Sequence, residues 1–189
     1  MSKTYEKLDD KLIEFIKAQK MFFVATAPLS RDGHVNVSPK GYDSFVVIDE
    51  STVAWLDLGG SGIETMAHLK ENGRITIRFC AFDGAANIVR LYGQGEAVQF
   101  DDPRFAGLLA LFSNFDKARA IVTVKLDRVS DSCGWGVPFY EFKGEREQLQ
   151  RYANNPRTDG RTWEQRWYEG NAESTDGLPG VTRTNEAAE

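Results

Sequence analysis

Trp55-Leu-Asp-Leu-Gly-Gly-Ser-Gly-Ile-Glu-Thr-Met-Ala-His-Leu-Lys-Glu-Asn-Gly-Arg-Ile-Thr-Ile-Arg-Phe79 decides how the rest of this chain is read. The stretch opens as the end of a strand, breaks at a glycine-rich turn, winds into a helix of about three turns and leaves as a second strand. Ser61-Gly-Ile-Glu64 has the S-x-x-E form of a capping box, which predicts Ser61 as the N-cap and Glu64 as the third helical residue. Gly73 is placed to stop the helix, and Arg74 to Phe79 alternates as a strand does. A helix that begins directly after glycines offers free backbone N–H groups and the positive end of its dipole, a setting that suits a phosphate. The same residues equally suit an ordinary capped helix lying on a sheet.

Working outward, strands dominate on both sides. On the N-terminal side an amphipathic helix is expected from about Tyr5 to Gln19, with Leu8, Leu12, Phe15 and Ile16 on one face. Met21 to Ala27 reads as a buried strand, Asp32-Gly33 as a hairpin turn, and His34 to Pro39 as the return strand, which Pro39 ends or places at an edge. Phe45 to Ile48 and Thr52 to Asp57 follow, joined by tight polar turns. On the C-terminal side Ile88 to Phe100 is a long strand whose Gly93 and Gly95 predict a bulge or barrel corner. Asp101-Asp-Pro103 predicts the start of a helix with Phe105, Leu108, Leu109 and Phe112 as its apolar stripe. Ala120 to Leu126 is a clear strand, and Cys133 to Phe142 reads as a tight turn into a short strand. A helix is expected over Glu145 to Ala153, and another around Trp163, Trp167 and Tyr168, packed on the body or on a neighbouring subunit. The fold class is therefore mainly β: an antiparallel, Greek-key-like barrel with peripheral helices.

Composition narrows the function classes. The chain has 189 residues, 41% of them hydrophobic, and a net charge of −5, which suits one domain with its own core. No basic block or stripe of basic and aromatic residues is present, which argues against nucleic acid. No apolar run reaches membrane-spanning length and the N-terminus does not read as a signal peptide, so a cytoplasmic protein is expected. Cys80 and Cys133 are isolated and the only histidines are His34 and His68, so no metal site is expected. No G-x-S-x-G or other nucleophile signature stands out, and no catalytic acid or base can be named from the sequence.

The order of elements, together with several local motifs, resembles the pyridoxamine 5′-phosphate oxidase-like, FMN-binding split-barrel family, and within it the uncharacterised bacterial and fungal branch. The carrying residues are Gly33-His-Val-Asn-Val-Ser-Pro-Lys-Gly-Tyr-Asp43, Leu56-Asp-Leu-Gly-Gly-Ser-Gly62 with Glu64-Thr65, and His68 to Phe82. Arg90-Leu-Tyr-Gly93, Ser132-Cys-Gly-Trp-Gly-Val-Pro138 and Asp176-Gly-Leu-Pro-Gly180 add to them, so the likeness runs over nearly the whole chain.

The resemblance implies a split-barrel domain over residues 1–155 and a C-terminal tail over 156–189 that packs on the barrel or the partner subunit. It implies a homodimer with FMN at the subunit interface, and oxidoreduction of a small molecule. Lys40 would place a cation near the flavin or its phosphate, or else be a solvated turn lysine. Leu56 and Asp57 would pass along the ring edge with backbone groups, and Ser61, Gly62 and Thr65 would hold the phosphate. Asn87 and Arg90 would reach the flavin from their own or the partner subunit, and Trp135 would cover the ring or sit in the core. A deazaflavin is the close alternative cofactor. A flavin or haem carrier without turnover is the alternative class, with His34 and His68 as the candidate haem ligands. The oxidases proper carry Ser-Arg-Lys at the helix start where this chain has Ile63-Glu64-Thr65, and the tail arginines Arg161, Arg166 and Arg183 do not align with the family's substrate-gripping set.

Overall fold

The sheet is built almost entirely from the alternating segments just described. A computed structural model describes residues 2–112, 115, 117–149, 151 and 160–183. In chain order the elements are β1 (Lys3–Tyr5), α1 (Asp10–Ala18), β2 (Phe22–Thr26), β3 (Asn36–Lys40), β4 (Phe45–Asp49), β5 (Thr52–Asp57), α2 (Glu64–Asn72), β6 (Arg74–Cys80), β7 (Ile88–Gln99), α3 (Phe105–Leu109), β8 (Ala120–Ser132) and α4 (Trp163–Gly170). Their order across the sheet is β3-β2-β6-β7-β8-β5-β4, with β1 added to β8, and every pairing is antiparallel. The sheet curls into a split barrel, as the sequence predicts. The opening lies between β3 and the β4–β5 hairpin, which close onto each other through side chains rather than a ladder.

Inside the curl sits one large apolar core of Phe22, Val24, Trp55, Ile77, Phe79, Leu91 and neighbours, with Leu8, Leu12 and Ile16 supplied from the α1 side. Phe45 meets Phe22 and Phe79 edge-on, with centroids 5.1 and 5.0 Å away. Edge-on packing lets the positive rim of one ring meet the negative face of another. The predicted bulge falls between Tyr92 and Gly93. A Cβ at Gly93 would lie 2.1 Å from the Lys125 carbonyl oxygen, so only glycine allows β7 and β8 to stay paired through the bend.

Several boundaries differ from the sequence reading. α1 begins at Asp10, capped by the Asp9 carboxylate on the Leu12 N–H, because Lys3–Tyr5 pairs with β8 and the Tyr5 hydroxyl donates to Asp131 at 2.8 Å. The helix after Asp101 shrinks to α3. Its N-cap is Arg104, and Asp102 binds the Arg104 N–H and guanidinium instead of capping the helix. Residues 133–142 form a turn and an irregular arm rather than a strand, tied back by the Tyr140 N–H on the Phe82 carbonyl. Part of the helix expected over Glu145–Ala153 lies outside the described residues. α4 does form, with a Thr162–Gln165 capping box, and buries Trp167 against Phe100 on the body of the same chain.

Edge strand β3 has its polarity reversed. Val35, just before it, and Val37 within it are 70% and 61% exposed, whereas Asn36, Ser38 and Lys40 alternate on the face toward the split. Among the described residues no helix is long and apolar enough to cross a membrane.

Candidate functional site

The β5–α2 connection, read above as a phosphate loop, is held from beneath by a buried polar knot. Asp57, the last residue of β5, is buried and bonds Arg119 at 2.8 Å, itself only 3% exposed. The Arg119 guanidinium also donates to the Gly62 carbonyl at 2.9 Å, the Gly60 carbonyl at 3.4 Å and the Asn171 side-chain oxygen at 2.8 Å. Asn171 in turn donates to the Gly60 and Ser61 carbonyls at 3.2 and 3.4 Å. Lys40 reaches across the split to within 3.9 Å of the other Asp57 oxygen. Burial pushes the Asp57 carboxyl up, but the Arg119 guanidinium and then the Lys40 ammonium outweigh it and hold it below the usual carboxylate range. Two cations around one carboxylate leave this group with a formal charge of +1.

The head of α2 corrects the capping-box prediction. The helix begins at Glu64, its N-cap is Ile63, and no side chain caps it. Ile63 is 3% exposed and packs with Met66, Ala120 and Val181, so burial of its side chain sets where the helix starts and leaves Ser61 exposed two positions too early. Glu64 is thereby the first helical residue. One of its oxygens accepts from the Thr175 N–H and hydroxyl at 3.3 and 3.0 Å, and the other lies 2.8 Å from where a Cβ of Gly62 would be. Burial acts to raise the Glu64 carboxyl, but backbone N–H groups of Glu64 and Ile63 and both Thr175 donors leave it lowered.

The expected phosphate ligands diverge. Thr65 is buried and its hydroxyl accepts from Asn36 at 2.9 Å, within a chain that continues through Thr26 to His68 Nδ1 at 2.9 Å. Leu56 and Asp57 have backbone groups engaged inside the chain: the Leu56 N–H on the Ser44 carbonyl, the Asp57 carbonyl on the Arg119 N–H. The fully buried Leu56 side chain packs with Ala54, Phe112 and Ile121.

Lys40 also borders a groove of about 1310 Å³ lined by Met21, Phe23, Phe82, Tyr140 and Phe142. Phe23 lies on the outer face of the sheet, in one register row with Pro39, Arg78, Arg90 and Ser130. Arg90 thus shares that outer face, where its guanidinium donates to the Ser132 hydroxyl at 2.9 Å. Asn87 packs its backbone against Gly134, and Trp135 beside it is 86% exposed, so it is not a core residue. The predicted residues therefore fall into two groups. Lys40 and Asp57 meet at the split with Ser61 and Gly62 on the adjoining loop and Thr65 buried behind Asn36, whereas Arg90 lies on the outer face and Asn87 and Trp135 stand at the turn beside it; Leu56, closed in the core, joins neither group.

Sequence reading missed Asn36, Ser38, Arg119 and Asn171. The period-two alternation Asn36-x-Ser38-x-Lys40 could have found the first two, since it puts three polar side chains on one face. Nothing local marks Arg119 or Asn171, whose roles come from contacts 62 and 111 residues away in sequence. His34 is exposed and bonds Asp176 at 2.6 Å, while His68 is fully buried. Among the described residues no three His, Cys, Asp or Glu side chains gather as metal ligands.

Comparison with known proteins agrees with this architecture. The sequence profile of the family described as pyridoxamine 5′-phosphate oxidase matches residues 8–133. A pyridoxamine 5′-phosphate oxidase family protein, ustO, of Aspergillus flavus is 38% identical over 195 aligned residues, covering 94% of this chain and 77% of that one. Among solved structures, HupZ of Group A Streptococcus superposes with a TM-score of 0.53 at 20% identity, over 65% of this chain and 91% of that one. A proposed pyridoxamine 5′-phosphate oxidase of Lactobacillus delbrueckii superposes with a TM-score of 0.50 at 20% identity, over 66% and 94%. Those two likenesses bear on the fold alone. With the profile spanning α1 to the end of β8 and the fungal relative matching nearly the full chain, this protein belongs to the pyridoxamine 5′-phosphate oxidase family.

Proposed function

We propose that this protein binds FMN and uses it in the oxidoreduction of a small organic molecule, as a cytoplasmic homodimer that completes the cofactor site between subunits. The carrying observation is Lys40, a partly exposed cation that borders the aromatic groove on one side and faces Asp57 on the other. An apolar concavity with a few polar groups at one end is the usual form of a small-molecule site. Aromatic side chains flanking such a groove suit a planar ring system, and FMN, when bound, supplies the hydride-transfer chemistry.

The residues then divide the work. Phe23, Phe82 and Tyr140 exclude water from the ring. Lys40 sets a positive potential at the end of the groove, while Arg119 keeps the Asp57 charge paired and the Gly60–Gly62 loop in place. Ser61 and Gly62 stay near the phosphate, Thr65 acts through Asn36 as a positioning residue, and Asn87, Arg90 and Trp135 serve the ring from the partner's outer face. The exposed Val35 and Val37 on that face support burial against a second copy, since an edge strand with outward valines is otherwise an association liability. A haem carrier is not favoured: His68 is closed behind Thr26, and His34 is held by Asp176.

Titration of the purified protein with FMN, riboflavin and a deazaflavin, beside its visible spectrum, tests the reading. FMN is expected to bind, and Lys40→Ala to weaken FMN by about 1.5–3 kcal/mol while changing riboflavin little. A protein that takes up none of the three overturns the flavin proposal. A flavin that is bound but never reduced by a nicotinamide nucleotide overturns the enzyme in favour of a carrier. Light scattering that shows a stable monomer overturns the dimer.

A further inference from the structure

The outer face of the sheet carries a pair of cations with no acid to answer it. Arg78 on β6 and Arg90 on β7 are direct cross-strand partners, in the register row that runs Pro39-Phe23-Arg78-Arg90-Ser130. Like charges set opposite one another destabilise a sheet. Arg78 is exposed and Arg90 half-buried, and among the described residues neither joins a salt bridge. Arg90 donates to the Ser132 hydroxyl at 2.9 Å, a neutral acceptor that steadies the guanidinium and leaves its charge unanswered. The next row, Val37-Ala25-Thr76-Tyr92-Arg128, also lacks an acid and adds a third arginine. Asp127 stands aside at the bulge, in a separate recess with Arg128.

The same row runs into the aromatic groove, since Phe23 and Pro39 line it and Phe23 is the cross-strand neighbour of Arg78. The groove walls carry Lys20, Lys40 and Arg146 against Asp83, Glu141 and Glu145, so their formal charges cancel. Arg78 and Arg90 are a positive surplus at its side. A volume of about 1310 Å³ exceeds the roughly 300–1,000 Å³ usual for one ligand and leaves room for a second molecule beside a cofactor. We propose that Arg78 and Arg90 together bind the oxyanion, a carboxylate or a phosphate ester, of the small molecule that meets the cofactor, with its apolar body lying toward Phe23. The inference deepens the flavin reading and rests on it for the identity of that cofactor. Two planar guanidinium forks side by side can each give paired N–H bonds to one oxyanion. The anion also relieves the repulsion between them, so binding removes a cost already present in the fold. This gives Arg90 a definite task beside the ring: it holds the molecule that the ring meets.

The test measures calorimetric binding of benzoate and phenyl phosphate, with benzamide as the neutral control, to the wild type, Arg78→Gln and Arg78→Lys, with and without flavin. Thermal melting in benzoate against chloride of equal ionic strength runs beside it. The wild type is expected to bind at least one of the two anions and not benzamide, and the tighter anion names the oxyanion. Arg78→Gln should weaken that anion by about tenfold, and Arg78→Lys, which keeps the charge without the fork, by less. Without an anion, Arg78→Gln should melt slightly above the wild type, because the like-charge pair is gone. Benzoate should then stabilise the wild type more than the variant. No anion binding, equal binding by all three proteins, or a lower melting temperature for anion-free Arg78→Gln overturns the inference. A loss of FMN but not riboflavin affinity in Arg78→Gln also overturns it, because the pair would then hold the flavin's own phosphate. In each of these cases flavin binding leaves the flavin reading standing. If no flavin binds any of the three proteins, the flavin reading falls, and the melts in benzoate decide alone whether the pair is an oxyanion site.

Discussion

Lys40 stands between two regions built on opposite principles. On one side lies the knot of Asp57, Arg119 and Asn171, where the chain answers nearly every polar group with its own residues. On the other lies the groove, where Phe139, Tyr140 and Phe142 are 79%, 65% and 51% exposed and the chain leaves much of their apolar surface uncovered. The knot is closed by the chain's own groups everywhere but at the buried Arg119 Nε, so its role is to hold the Gly60–Gly62 loop in one shape. The unfinished side is where a second molecule gains most by binding. The contrast explains why the most polar residues of this region are positioning groups and why the proposed cofactor site is mainly apolar.

Breaking the knot should have the largest effect. Arg119→Met leaves the buried Asp57 carboxylate without its main partner and the Gly60 and Gly62 carbonyls without a donor, and should cost about 3–5 kcal/mol in urea unfolding. A variant within ~1 kcal/mol of the wild type would show that Lys40 or water holds the charge equally well, and the knot would lose its structural meaning.

Trimming the open side should do little to the monomer. Trp135→Ser with Phe139→Ser removes exposed rings and should change unfolding free energy by less than about 0.5 kcal/mol, while self-association seen by light scattering weakens. Unchanged association with both rings gone would place the partner elsewhere than this face.

The smallest effect is a pH response of the 171–182 segment. Hydrogen bonding to Asp176 raises His34 above its ordinary 6.5, so its contribution is fully present below that value and is lost as pH rises through the raised one. Asp176 is held below 3.8 by His34, so its contribution is lost only as pH falls through that lowered value. Amide exchange at Ser174 and Gly177 should therefore show more protection, relative to the intrinsic rate, on the acid side of His34, and His34→Ala should flatten the profile. His68 acts on the whole fold with the opposite sign. Burial lowers it below 6.5, so its contribution to stability declines as pH drops beneath that value. Segment docking that weakens in parallel with global stability on mild acidification would refute the His34 assignment.

The barrel was legible because strand alternation and turn residues are local signals. The β2–β3 hairpin, the long β7 with its glycine bulge and the Gly73 stop were readable from a few neighbours each, and Gly73 indeed takes φ 69°. The head of α2 was misread because Ser61 and Glu64 satisfy a local pattern that loses to the burial of Ile63, a tertiary demand. Lys40 and Asp57 were named as site residues, but not as partners, since they meet only when the sheet curls. The exposure of Trp135 was equally hidden, because a tryptophan between glycines reads the same whether it faces the core or solvent.

The knot also fixes an order of events during synthesis. Asp57 and Arg119 come together once β5 pairs with β8, yet the Asn171 oxygen that binds the Arg119 guanidinium lies 52 residues beyond Arg119 and well past the end of β8. Chains emerge from the ribosome at roughly 5–20 residues per second, so the barrel waits a few seconds with a buried cation partly unanswered. Through that interval the loop proposed to meet the cofactor lacks the Asn171 bonds to the Gly60 and Ser61 carbonyls. A ribosome stalled after β8 has emerged but before Asn171 does would display a barrel whose loop is still free to move, and the emergence of Asn171 is what sets it.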